Sequence, residues 1–194
     1  VIGSITVDAT LGSYVPFDQR IHEVRRQSGQ SRVASLYRTL LNDSQLNQSH
    51  ANCDRVQDAY SLRCAPQVHG PIIDILLNAR TMLSIELNSA TDNPLIFVDE
   101  EGGFEVISGG NFHGENLAIT ADNLAVCAHE LASISERRTN LIMSPKWSGQ
   151  KAFLSNTEGL DSGMMIIQYV SAACVAELHL LANPSSTSNI AVSM

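Results

Sequence analysis

Apolar positions recur at three- and four-residue steps through several long stretches, and these stretches predict most of the fold. Between about residues 66 and 90, Ile72, Ile75, Leu76, Ala79, Leu83, Leu87 and Ala90 form one helical seam. Asp92-Asn93-Pro94 ends it, because the residue before a proline is pushed out of helical geometry. A second seam, Leu117, Ala121, Leu124, Ala128 and Leu131, predicts a helix from about 115 to 142, with Pro145 just beyond. A third stretch, about 162 to 181, is apolar almost all round, which predicts a helix buried on most sides and stopped by Asn183-Pro184. Residues 18 to 43 read as a further helix with one interruption at Gly29, followed by a polar loop from Asn42 to His50. The segment up to Tyr14 has no clear period. Two short apolar runs, Leu95–Val98 and Phe104–Ile107, flank Asp99-Glu-Glu-Gly-Gly103 and predict a small β-hairpin. The whole is a mainly all-α chain: long antiparallel helices in a bundle, with one short hairpin. No internal repeat divides it, so residues 1–194 read as a single helical-bundle region.

Composition narrows the setting. Only 16% of residues are charged and 5% aromatic, which fits a helical protein that hides further surface in an oligomer. A formal net charge of −8 and the lack of a basic cluster argue against nucleic acid or an anionic membrane as partner. No apolar run is long enough for a membrane span, and the start carries no charged leader pattern. Cys53, Cys64, Cys127 and Cys174 lack a paired metal-type spacing and read as reduced thiols packed in or near cores. The six histidines are equally scattered, so no metal site is expected. A cytoplasmic location follows as the default.

Candidate chemistry concentrates in one heptapeptide, Gln57-Asp-Ala-Tyr-Ser-Leu-Arg63, placed where the first long helix is expected to begin. Turned into that helix, Gln57, Tyr60 and Arg63 recur every third residue and share a side. A guanidinium clamps a carboxylate through two parallel hydrogen bonds, an amide orients it, and a phenol can carry a proton. Such a triplet suits a small zwitterionic ligand, although Arg and Tyr at helix starts are more often packing or surface residues. The pair His69 and His113 reads as hydrogen-bonded structural groups, and Glu136-Arg137-Arg138 as ion pairs on or between helices.

The segment Gln57-Asp-Ala-Tyr-Ser-Leu-Arg-Cys-Ala-Pro-Gln67, with Asn88-Ser-Ala-Thr-Asp-Asn-Pro94 and Ser108-Gly-Gly-Asn-Phe-His113, resembles the aromatic amino acid ammonia-lyases, and among them the histidine type. Pro16-Phe-Asp-Gln-Arg-Ile-His22, Leu131-Ala-Ser-Ile-Ser-Glu-Arg-Arg138 and Gly159-Leu-Asp-Ser-Gly-Met-Met-Ile-Ile-Gln168 extend the likeness over nearly the whole chain. The resemblance implies the ammonia-lyase and fumarase-like helical core, a homotetramer, and elimination of ammonia from an amino acid substrate, L-histidine giving urocanate. It implies Tyr60 as the base that removes the β proton, and Arg63 as the carboxylate ligand. It implies Gln57 and Asn93 as polar groups about the substrate and the electrophile, and Phe112 as an aromatic wall. Asn93 reads equally well as a turn residue and Phe112 as core packing. Met165 stands where plant phenylalanine-type members carry lysine, which favours the histidine type.

The family's electrophile, 4-methylidene-imidazol-5-one, forms from Ala-Ser-Gly. None of the Ser-Gly pairs here is preceded by alanine, so the precursor is absent from this chain. At the other end, Thr187–Met194 lacks the Gln-Glu-Asp-His run that the family places before Val-Ser-Met. The chain therefore reads as an internal portion of a longer lyase, inactive alone. Phenylalanine or tyrosine ammonia-lyases, aminomutases of the same family and a noncatalytic helical assembly module remain the alternatives.

Overall fold

The computed structural model describes residues 1–53 and 55–188. In chain order the helices are α1 (Ile2–Ala9), α2 (Gln19–Glu23), α3 (Ser28–Leu41), α4 (Gln45–Ser49), α5 (Tyr60–Arg63) and α6 (Ala65–Glu86). Strands β1 (Leu95–Val98) and β2 (Phe104–Ile107) follow, then α7 (Glu115–Met143), α8 (Pro145–Ser148) and α9 (Met165–Leu181). The strands pair antiparallel, Leu95 opposite Ile107 and Val98 opposite Phe104, as the expected hairpin requires.

The long helices alternate in direction. Arg138, near the end of α7, reaches Ser61 in α5 and His69 near the start of α6. Gln168, in the first turn of α9, donates to Glu136 near the end of α7, while Asp122 near its start accepts the Ser185 and Ser186 amides beyond α9. The α3/α6 pair closes at glycines: Gly29 and Gly70 bring the two backbones together, and Asp74 accepts the Gly29 amide. At the opposite end of that pair, Val33, Tyr37 and Leu41 join Val7, Phe17, Leu62, Ala65 and Leu141 in the core. Phe17 and Tyr37 stack there with ring centroids 4.7 Å apart. The core thus lies directly beneath the one-turn helix α5.

Several expectations need correction. The 18–43 stretch is two helices, and the break falls at Val24–Gln27 rather than at Gly29. Arg26 takes a left-handed φ of 61° there, while Gly29 sits inside α3. The N-terminal segment without a clear period forms α1, whose small residues let it approach Tyr37 and Arg138. The polar loop contains α4, capped where the Ser44 hydroxyl accepts the Asn47 amide. The helix expected to reach Ala90 ends at Glu86, and the one expected from 162 starts at Met165, after Gly163 at φ 47°. Most informative is α9: it packs on α7 along one side, but none of its residues is fully buried within this chain, so much of its apolar surface stays exposed here. Cys53 and Cys174 are exposed, against the expectation of packed thiols; Cys127 is buried.

Acid sensitivity follows from the histidines of the core side. Arg138 can only donate, so His69 Nε2, 3.0 Å from its guanidinium, must accept and the ring is neutral. Burial first, and then the Arg138 charge, hold His69 down at about 4. His22 is lowered too, chiefly by burial, with one ring nitrogen on the Pro16 carbonyl and the other on the Gln30 amide. An unfolded imidazole takes its proton near 6.5, so the stability present above that pH is lost as the pH falls towards 4. His69 contributes about 1–2 kcal/mol of that loss after allowance for its partial exposure. Urea midpoints measured on the complete assembled protein from pH 7 to 4.5 are expected to fall, and to fall less steeply in His69→Gln. Parallel slopes for the two proteins would remove His69 from the explanation.

Candidate active site

The heptapeptide does not run straight into the long helix. Residues Gln57–Ala59 belong to no regular element, α5 makes a single turn, and Cys64 breaks it from α6 with φ −97° and ψ 14°. This segment is anchored from both sides. Asp58, buried, accepts the Ser13 amide at 2.6 Å and pairs with Arg55 at 3.3 Å. Behind α5, the Ser61 carbonyl accepts Arg138 Nε at 2.9 Å.

Gln57, Tyr60 and Arg63 therefore converge as a break in the helix rather than as a stripe on it. All three line one open cavity of about 610 Å³, walled also by Arg137, Asn140 and Trp147. Gln57 and Arg63 also line a neighbouring cavity of about 680 Å³ on the side of Tyr14 and His50. Tyr60 is 68% exposed, so its phenol faces a space open to a ligand. Arg63 Nε and Gln67 Oε1 are buried without a hydrogen-bond partner among the described residues. An unmet guanidinium donor at the edge of a cavity is a place for an anion, since leaving it dry and unpaired is costly.

Met165 stands at the same end of the bundle. Its helix is tied down by Gln168 on Glu136, whose other oxygen accepts Arg137 Nε. The Arg137 guanidinium, together with Gln168, holds the Glu136 carboxyl below the usual carboxylate range.

Asn93 and Phe112 lie elsewhere. The 22 residues of α6 separate them from Tyr60, a span of about 33 Å at the helical rise. Asn93 Oδ1 accepts the Gly109 amide at 2.7 Å and the Ser108 hydroxyl at 3.0 Å, which closes the Asn93 and Gly109-Gly110 loops on each other. Its amide nitrogen remains on the exposed side. Phe112 is 64% exposed and is not core packing within this chain. The residues expected at the site thus fall into two groups at opposite ends of α6. His113 pairs with Glu115 on the surface, and His69 is a structural partner of Arg138. Asp58, Arg137, Arg138 and Trp147 complete the Tyr60 end. Asp58 lay within the heptapeptide itself, while the other three are joined to it only by the fold.

Among the described residues no helix is long and apolar enough to cross a membrane, and no three His, Cys, Asp or Glu side chains gather as a metal-binding group. The glutamate-lacking segment at Thr187–Met194 lies, from residue 189 on, outside the described residues.

The chain is a helical bundle with polar candidate residues gathered at both ends of α6, and comparison with known proteins gives its class. Residues 1–194 match the family described as aromatic amino acid lyase, and the chain belongs to that family. It is 47% identical over 190 residues to histidine ammonia-lyase of Myxococcus xanthus, covering 98% of this chain and 37% of that protein. The crystal structure of histidine ammonia-lyase from Trypanosoma cruzi superposes with a TM-score of 0.84 at 40% identity, over 98% of this chain and 35% of that one. A Pantoea agglomerans phenylalanine aminomutase gives 0.87 at 30% identity, over 97% and 40%. The chain spans two-fifths or less of the length of these relatives.

Proposed function

We propose that this chain supplies two half-sites of a histidine ammonia-lyase, a carbon–nitrogen lyase that eliminates ammonia from L-histidine to give urocanate in the cytoplasm. The observation that carries the reading is the convergence of Gln57, Tyr60 and Arg63 on one cavity, with Arg63 Nε left without a partner. Arg63 binds the substrate carboxylate, Gln57 orients it, and Tyr60 takes the β proton. Met165 faces the side-chain end of the substrate.

The roughly 33 Å between the half-sites supports a site assembled from more than one copy, because Asn93 and Phe112 cannot reach the Tyr60 of their own chain. The uncovered apolar surface of α9, including Ile166, Tyr169, Val170 and Leu181, and the exposed Leu76, Leu83 and Ile85 of α6, support a homotetramer. The family's methylidene-imidazolone, when bound, supplies an electrophile that makes the amino group a leaving group. The donor set here fits such a group: Asn93 has its oxygen occupied and its amide nitrogen left to hold a carbonyl. Its Ala-Ser-Gly precursor belongs to a part of the protein outside this sequence.

The test is L-histidine added to the complete enzyme, with the appearance of urocanate followed by absorbance. Arg63→Ala is expected to raise KM by about 100-fold, the loss of about 3 kcal/mol from truncating one partner of a buried charge pair. An unchanged KM would remove Arg63 from the carboxylate. The likeness to an aminomutase favours one second reading, in which the product is a β-amino acid. Chromatography of the products separates the two, and neither product from any aromatic amino acid overturns both.

A further inference from the structure

The mechanism above leaves one buried charge unused. Arg138 is 6% exposed, and among the described residues it makes no ion pair. Glu136, two residues earlier, is taken by Arg137. The partners of Arg138 are all neutral: the Ser61 carbonyl, the His69 ring, and the Tyr37 phenol beside it. A buried cation without a carboxylate adds little to stability and is costly to keep.

What it holds explains its place. A one-turn helix has few hydrogen bonds of its own and leaves carbonyls unmet. In α5 the Ala59 carbonyl accepts the Leu62 and Arg63 amides and the Tyr60 carbonyl accepts the Cys64 amide. The Ser61 carbonyl, between the two functional side chains, is met by Arg138 Nε instead. The same guanidinium is fixed by His69 on α6 and lies against Tyr37 on α3. Even the small side of α1 is shaped around it, since a Cβ on Gly3 would fall 3.1 Å from Arg138 Nη1.

We propose that Arg138 is a positioning residue for the reaction: through the Ser61 carbonyl it locks the one-turn helix that presents Tyr60 and Arg63, without touching substrate. The proposal rests on the reading of Tyr60 and Arg63 given above. A charged donor suits the task because it binds a carbonyl more strongly than a neutral one and forks to three elements at once.

The experiment pairs turnover with hydrogen exchange on the complete, assembled enzyme. Arg138→Gln is expected to lower kcat by about 100-fold, the scale of an ångström of misplacement, at an unchanged oligomeric state. Amides of Leu62, Arg63 and Cys64 should exchange faster while those in the middle of α7 do not change. Arg138→Lys should recover part of both effects, because one donor can still reach the Ser61 carbonyl. If Arg138→Gln does not assemble, His69→Leu, which removes one acceptor, should give the same pattern at about 10-fold in kcat. Unchanged exchange in α5 overturns the proposal, and so does faster exchange with normal kcat. A lower melting temperature with normal turnover at 25 °C means a structural role alone and also overturns it. Failure of the functional reading looks different: Tyr60→Phe would then retain activity whatever the exchange at α5 shows.

Discussion

Tyr60→Phe in the complete enzyme is expected to abolish elimination while leaving the fold and assembly intact. The phenol is 68% exposed within the chain and lines the open cavity, so losing its oxygen should change stability by no more than about 0.5 kcal/mol. Rate is another matter. A positioned general base contributes about 10²–10⁴-fold, and the other carboxylates lining that cavity are Glu130 and Asp58, the latter already engaged by the Ser13 amide and Arg55. The assay must report kcat and substrate binding separately. Loss of kcat with binding retained is the signature of a proton-transfer role, since ring, wall and Arg63 remain. Retained turnover would assign the proton to Glu130 or to a residue of another copy. A joint loss of kcat and binding would make Tyr60 a wall of the pocket rather than its base.

The long helices were legible because their apolar seams are local: Leu117 to Leu131 announces α7, and Pro94 and Pro145 bound the region. The misreadings share one cause, a neighbour distant in sequence. α1 carries Gly3, Ser4 and Thr6 on its buried side, so it shows no apolar stripe; those small residues are inward because Tyr37 and Arg138 fill the space above them. Arg26 gives no sign of a chain reversal, having neither the freedom of glycine nor the ring of proline. In α9 the apolar composition was read correctly and its consequence was not, because among the described residues only α7 packs against it and the rest of its surface stays exposed. The site follows the same rule. Gln57, Tyr60 and Arg63 could be grouped from a spacing of three, although only Tyr60 and Arg63 share a helical turn and Gln57 joins them from the chain before it. Asn93 and Phe112 came from resemblance alone, and only the length of α6 reveals how far they lie from Tyr60. Arg138 read as one member of an ion-pairing triplet on or between helices, and its burial without an ion pair is visible only in three dimensions.

Gly70→Ala should be among the most destabilising single-methyl changes available in the chain, at about 3 kcal/mol. A Cβ there would lie 2.4 Å from the Gln30 amide nitrogen, 2.6 Å from its Cα and 2.9 Å from the Gly29 carbonyl carbon. All three are backbone atoms, so no rotamer can relieve the contact, and α3 must move as a body. Alanine's better helix propensity returns about 1 kcal/mol, too little to offset the clash. Gly114→Ala is the control: its Cβ meets nothing within 4 Å, and its melting point should barely move. The functional consequence comes from geometry at the other end of the same helix pair. Tyr37 and Leu41 of α3 pack with Leu62 of α5, so wedging α3 outward at Gly70 slackens the floor under Tyr60 and Arg63. Gly70→Ala should therefore lower kcat even at temperatures where it stays folded and assembled, whereas Gly114→Ala should not. If Gly70→Ala loses stability yet keeps full turnover, the floor is held by α7 and Arg138 alone and the α3/α6 crossing serves only the fold.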